Sequence, residues 1–170
     1  EEIIRPLQEY YESLNHLVLD AWFTFFPEYK SDQQGFLPDL LKSAKPQTAI
    51  IVGDGLRYEI ADYIASVLEK QFKVDRQVML ADMPSETEHN MSALYVGNNA
   101  VLPIHKDRES RLAAISGKSI VFLQLEDVHY GLGAEYLVLT YKDIDSTGEK
   151  LQQRAIKLFS EFESVIIEKI

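Results

Sequence analysis

Asp54 stands between Gly53 and Gly55, where the apolar run TAIIVG meets the helical pattern of LRYEIADYIASVL. If that run is a strand of an open α/β sheet, the carboxylate is displayed toward a site, because ligands bind in the crevice beyond the carboxyl ends of such strands. In MPSETEHNMSAL, Pro84 precedes Ser85 and Thr87 at the start of a second helical pattern. Ser85 and Glu88 have the spacing of an S-x-x-E capping box. Thr87 falls in the first turn, with its hydroxyl near unpaired backbone N–H groups, a place that stabilises a phosphate or other anion. A helix end contributes only ~0.3–1 kcal/mol, enough to position an oxyanion but not to drive phosphoryl chemistry, so a metal would have to supply the rest.

A third stretch, TYKDIDSTGEKLQQ, follows the apolar run Tyr136–Tyr141 and opens the last helical pattern. Asp143 and Asp145 suit turn or N-cap positions, and Glu149 suits a first-turn acid favoured by the helix dipole. Alternatively, Asp145 and Glu149 turn toward the same crevice as Asp54. Three carboxylates from two strand ends would then form an oxygen-rich site for a divalent metal. The GDG triplet lacks the G-x-G-x-x-G spacing of a dinucleotide fingerprint. His89 and His105 have no companion at metal-ligand spacing. His16 reads as a surface residue of the first helix, and Asp127 and His129 as residues of an exposed turn.

The elements that must position these residues follow from periodicity. Apolar residues at Leu7, Tyr10, Leu14, Leu17 and Ala21 predict one long amphipathic helix over Ile3–Phe25, whose spacing also suits a coiled-coil pairing. Pro27, Gly35, Pro38 and Pro46 mark a loop-rich connection with a short helix at Leu37–Lys42. Strands are expected at Thr48–Gly53, Val74–Leu80, Ser119–Leu123 and Tyr136–Tyr141. Helices are expected at Tyr58–Phe72, Ser85–Tyr95, Asp107–Ser116 and Glu149–Ile170. This alternation predicts an α/β fold with a mainly parallel sheet flanked by helices. The organisation expected is an N-terminal helical segment and linker over residues 1–45 and an α/β core over 46–170.

Composition narrows the function classes. The 170 residues are 46% hydrophobic, which suits a globular chain with a substantial core. A net charge of −10 disfavours sequence-independent nucleic-acid binding, so an anionic ligand would need a local helper such as a metal ion. The absence of cysteine leaves imidazole and carboxylate oxygen as the strong metal ligands. No apolar run reaches the length of a membrane span and no signal-peptide core is present, which predicts a soluble, cytoplasmic chain.

Taken together, IIVGDGLRYEIADYIA, ADMPSETEHNMSALYVG and LVLTYKDIDSTGEK resemble the PglZ domain, a branch of the alkaline phosphatase superfamily, over most of Thr48–Lys150. PglZ domains occur in BREX phage-defence systems and fused to response-regulator receivers in bacterial signalling. The resemblance implies an alkaline phosphatase-like core with two divalent metals, usually zinc, flanking a Ser or Thr nucleophile. On it, Asp54 is the metal-binding aspartate and Thr87 the nucleophile and a metal ligand. The family's Asp-x-x-x-His pair falls on Asp145 and Glu149, with Glu in place of His, a harder ligand that weakens the case for zinc. Many members also carry His where this chain has Tyr141. The family's later Asp-His-Gly metal-binding motif is not among these residues, so the chain is expected to be a piece of a larger protein that by itself binds no zinc tightly.

The expected function is phosphoester hydrolysis, with attack on phosphorus by Thr87 or by hydroxide under metal activation. Asp54, Asp145 and Glu149 hold the metals, and Arg57 orients the phosphate. The alternative is a catalytically degenerate scaffold that binds protein partners of a defence or signalling complex. Self-association is expected through the edge left by the missing C-terminal strand or through the first helix.

Overall fold

The computed structural model describes residues 4–142 together with Ser164 and Val165. Contacts divide it into two units, residues 1–31 and 32–170. The first unit is built on a 22-residue helix, α1 (Ile4–Phe25), followed by a single 3-10 turn at Phe26–Glu28. No residue of α1 is buried. At its end, the Trp22 ring lies 5.4 Å from Phe26 and 5.5 Å from Tyr29, an aromatic group that closes the last turn against the following one.

The second unit has the predicted α/β architecture, a parallel sheet flanked by helices. Among the described residues the sheet has three strands, β1 (Thr48–Gly53), β2 (Ile120–Gln124) and β3 (Tyr136–Tyr141), in the order β1-β3-β2. All pairings are parallel, with Thr48 and Ile120 both opposite Tyr136. Around the sheet lie α2 (Phe36–Ser43), α3 (Tyr58–Leu68), α4 (Thr87–Tyr95) and α5 (His105–Ser116). None of the described helices is long and apolar enough to cross a membrane.

Successive residues of β3 point to opposite faces of the sheet, and both faces are covered, as expected for a central parallel strand. Tyr136 and Val138 join a core with Val52, Leu37 and Leu41 of α2, Tyr95 of α4 and Leu112 of α5. Leu139 and Tyr141 join the opposite core, with Ile64 of α3 and Leu125. Leu41, Leu112, Leu125 and Val138 are fully buried. Since α2 contributes two of these core residues, the stretch from Asp32 to β1 packs as part of the α/β unit.

The expected strand at Val74–Leu80 is extended chain without sheet pairing. Its polar residues bond elsewhere. Arg76 pairs with Asp62 of α3 at 3.2 Å and with Glu69, while the main chain of Leu80 exchanges bonds with Asp32. Val78 is 79% exposed, so the alternating pattern there buries too little apolar surface to form a sheet face. Helix α3 also stops at Leu68, short of the expected Phe72, and the helix expected at Glu149–Ile170 lies outside the described residues apart from Ser164 and Val165.

Gly97 ends the segment after α4 at φ +74°, and a Cβ there would lie 2.7 Å from the main-chain nitrogen of Gly35, which itself donates to the Ala93 carbonyl. Gly117 ends α5 at φ +65° with open space around it. Gly117→Ala is therefore expected to cost about 1 kcal/mol from the left-handed backbone alone. Gly97→Ala adds the steric clash, roughly a further 1–3 kcal/mol. Urea unfolding of the two variants checks the order; equal losses would mean the α4–α2 contact yields freely.

Candidate active site

Strand β1 ends at Gly53, and the next residue continues the ladder, since the Asp54 N–H donates to the Tyr141 carbonyl at 3.0 Å. This bond fixes Asp54 at the carboxyl edge of the sheet beside the end of β3. Gly55 takes φ +68°, turning the chain away toward α3. Asp54 is half-buried and lines a cleft of about 210 Å3 together with Thr87, Tyr95, His105, Arg108 and Lys142. Residues 33 positions apart, Asp54 and Thr87 (87 − 54), thus line one cleft.

Thr87 is the first residue of α4 and is exposed. The expected capping box does not form. Glu86 is the N-cap residue and makes no side-chain cap bond. The Pro84 carbonyl accepts the Glu86 N–H and Asn90 Nδ2, both at 2.9 Å, and this turn delays the helix start until Thr87. The first turn of α4 therefore keeps backbone donors without a side-chain cap beside the threonine. The approach to α4 is anchored by Asp82, whose carboxylate takes His89 Nε2 at 3.0 Å and Gln34 Nε2.

The opposite wall is built by α5. Ser92 of α4 is fully buried, accepts the Leu102 N–H at 2.9 Å and donates to the Glu88 carbonyl at 2.5 Å. Arg108 Nη1 donates to the carbonyls of Leu102 at 2.7 Å and Pro103 at 3.2 Å. These bonds pin the loop between α4 and α5, so the two helix starts face one cleft. His105 Nε2 lies 3.2 Å from Glu109 Oε1, the geometry of an N–H donating to a carboxylate, which leaves Nδ1 as the lone pair. Burial lowers the His105 pKa below its ordinary 6.5, Glu109 opposes that shift, and Lys142 and Arg108 add to it; the imidazole is neutral at pH 7. Burial also pushes the Tyr95 phenol up. The Tyr95 hydroxyl, His105 Nδ1 and Arg108 Nε are buried without a hydrogen-bond partner among the described residues.

Of the other residues singled out in the sequence, Arg57 is not brought to the cleft. It is exposed at the start of α3, and its guanidinium, 2.7 Å from Glu59, holds that carboxyl below the usual range. Asp145 and Glu149 lie outside the described residues. His129 is exposed on its turn, as expected, with Nδ1 3.1 Å from the Tyr130 carbonyl oxygen. His105, Arg108 and Lys142 were not anticipated at the site. A signal for Arg108 exists in the sequence: it lies four residues before Leu112, on the buried face of α5.

A chain with a parallel sheet, a strand-end carboxylate and a helix-start hydroxyl in one cleft is an α/β protein of the kind that binds ligands at its strand ends. Residues 35–119 match the family described as "BREX system PglZ alkaline phosphatase-like domain", half of the chain, and the protein belongs to that family. The matched stretch contains Asp54, Thr87, His105 and Arg108. Comparison with curated proteins and with solved structures found no match.

Because the folded-state pKa of His105 lies below the unfolded one, its contribution to stability is intact above about pH 6.5 and lost as pH falls through the folded value. His105→Gln is accordingly expected to flatten the loss of stability between pH 7 and pH 5, measured by urea unfolding at each pH. Parallel curves for the two proteins would show that the imidazole titrates alike in both states.

Proposed function

We propose that this domain hydrolyses phosphoesters, with Thr87 as nucleophile and Asp54 as a ligand for a divalent cation. The reading is supported by the meeting of Asp54 and Thr87 on one cleft in a member of an alkaline phosphatase-like family. Their carboxylate and hydroxyl oxygens form a donor pair suited to a hard or borderline divalent ion. Among the described residues no cluster of three or more His, Asp or Glu surrounds such an ion, and Asp145 and Glu149 are proposed to complete the set. When bound, zinc or a similar cation supplies positive charge that favours an alkoxide and a phosphoryl group.

The chain's own part is to supply the nucleophile and to position the phosphoryl group. Thr87 Oγ1, its proton passed to solvent, forms a bond to phosphorus as the ester's P–O bond breaks and the leaving alkoxide takes a proton from water; water then attacks phosphorus, the Oγ1–P bond breaks, and phosphate leaves as the Thr87 hydroxyl is restored. The uncapped first turn of α4 offers N–H groups to the phosphoryl oxygens. The BREX context in the family's description favours phage defence over signalling as the setting. With zinc or manganese present, the protein carrying this domain is expected to hydrolyse p-nitrophenyl phosphate or its bis ester. Thr87→Ala should reduce turnover at least about 100-fold while leaving the melting temperature unchanged. Full activity in that variant would remove Thr87 as nucleophile, and inactivity of the metal-loaded wild type on both esters would sink the hydrolase reading.

The second reading, a partner-binding scaffold, is supported by α1, on which Leu7, Leu14, Leu17 and Val18 are exposed. A helix of this kind gains stability from a partner, and the alternation of three and four residues suits a second copy of itself. Sedimentation is expected to find a dimer at micromolar concentration and a monomer for Leu14→Glu combined with Leu17→Glu; a monomeric wild type would eliminate pairing through α1.

A further inference from the structure

Every residue from Met83 to Glu88 is exposed, and Thr87 lies among them. Such exposure leaves apolar packing little hold on the hydroxyl, and polar bonds at the two ends of the segment take that part. The side chain of Asp82, just before it, is 14% exposed, and that of His89, in the first turn of α4, is 17% exposed. His89 Nε2 lies 3.0 Å from Asp82 Oδ2, so the imidazole N–H donates to the carboxylate and closes a loop of chain around Thr87. Within the loop, the Pro84 carbonyl takes the Glu86 N–H and Asn90 Nδ2, both at 2.9 Å, and the Asn90 N–H donates to the Glu86 carbonyl at 2.8 Å.

The loop is strapped from outside by residues 33–35. The Asp82 N–H donates to Gln33 Oε1 at 2.7 Å, and Gln34 Nε2 donates to the Asp82 carboxylate. Gln34 Oε1 accepts the Asn99 N–H at 3.2 Å, and the Gly35 N–H donates to the Ala93 carbonyl at 2.8 Å. One short stretch thus holds both the entry to α4 and its far end. His89 follows Thr87 by two residues, about 200° around the helix, and neither it nor Asp82 is among the residues that line the cleft.

We infer that Asp82 and His89 are positioning residues: their bond, held in place by Gln34, sets the Thr87 hydroxyl where it meets phosphorus. A hydrogen bond to a carboxylate is stronger than a neutral one and fixes direction as well as distance. Without it the exposed segment regains backbone freedom, and misplacing a reacting group by about 1 Å can cost about 100-fold in rate. The inference rests on the hydrolase reading for the reaction that Thr87 performs; the clamp itself is independent of turnover.

Two variants in the protein carrying this domain separate the bond from the bulk of the side chain. His89→Gln keeps an Nε2 donor, and His89→Leu removes it. In His89→Leu, amide hydrogen exchange followed by NMR is expected to accelerate at least about 10-fold at Glu86 and Asn90 with β3 unchanged; His89→Gln should exchange like the wild type. On p-nitrophenyl phosphate with zinc or manganese, His89→Leu should lose at least about 10-fold in kcat with KM within about twofold, and His89→Gln should recover it. Asp82→Ala is expected to behave as His89→Leu does, and takes its place if that variant does not fold. Unchanged exchange in His89→Leu overturns the clamp, as do equal effects of His89→Gln and His89→Leu or an acceleration that extends to β3. Faster exchange with unchanged kcat overturns the positioning role. A metal-loaded wild type without turnover removes the hydrolase reading, and exchange alone then decides the clamp.

Discussion

Everything in the α/β unit depends on the register of β3. Buried on both faces and paired in parallel on both sides, this strand fixes Gly53 opposite Tyr141 and so places Asp54 at the end where Thr140 and Lys142 emerge. A slip of one residue would exchange Tyr136 and Val138 with Leu137 and Leu139, turning each core's side chains to the wrong face. The two apolar clusters therefore hold the chemistry in place although neither contains Asp54 or Thr87.

The cleft has two electrostatic sides. Asp54 and Glu88 contribute negative charge, while Arg108 and Lys142 contribute positive charge. An acidic surface repels anions at long range, and a small group of cations inside a cleft selects them at short range. The buried bonds of Ser92 and Arg108 to the loop between α4 and α5 tie Arg108 to the backbone, whereas Lys142 is carried by the end of β3.

Much of the fold can be read from the sequence because its signals are local. The six-residue runs of β1 and β3, and the apolar spacing of α1, announce themselves without tertiary help. Val74–Leu80 misleads because its alternation is real but Arg76 finds its partner on α3 and the main chain of Leu80 bonds to Asp32, a choice made by tertiary contacts. At the site, Asp54 and Thr87 are legible from their places at a strand end and a helix start. Arg108 and His105 are harder to read, because their place in the cleft depends on how α5 docks against α4; the spacing of Arg108 to Leu112 shows only that it shares the buried face of α5. Ser85 shows the converse: its capping spacing is correct, but the turn at Pro84 moves the helix start past it.

The two pairings of β3 differ in reach along the chain. Ile120 lies 16 positions from Tyr136 (136 − 120), and Thr48 lies 88 positions from it (136 − 48). Closing the longer loop costs about 1.5 kcal/mol more entropy, and contacts of such separation form late. During synthesis, β1 through α5 must leave the ribosome before the strand that anchors β1 exists. The pair formed by β2 and β3 is thus the natural first unit, and β1 joins it afterwards. Because the bond from Asp54 to Tyr141 spans that same interval, the cleft comes into being with the docking of β1, and a partly folded chain carries the Thr87 hydroxyl without the Asp54 carboxylate beside it.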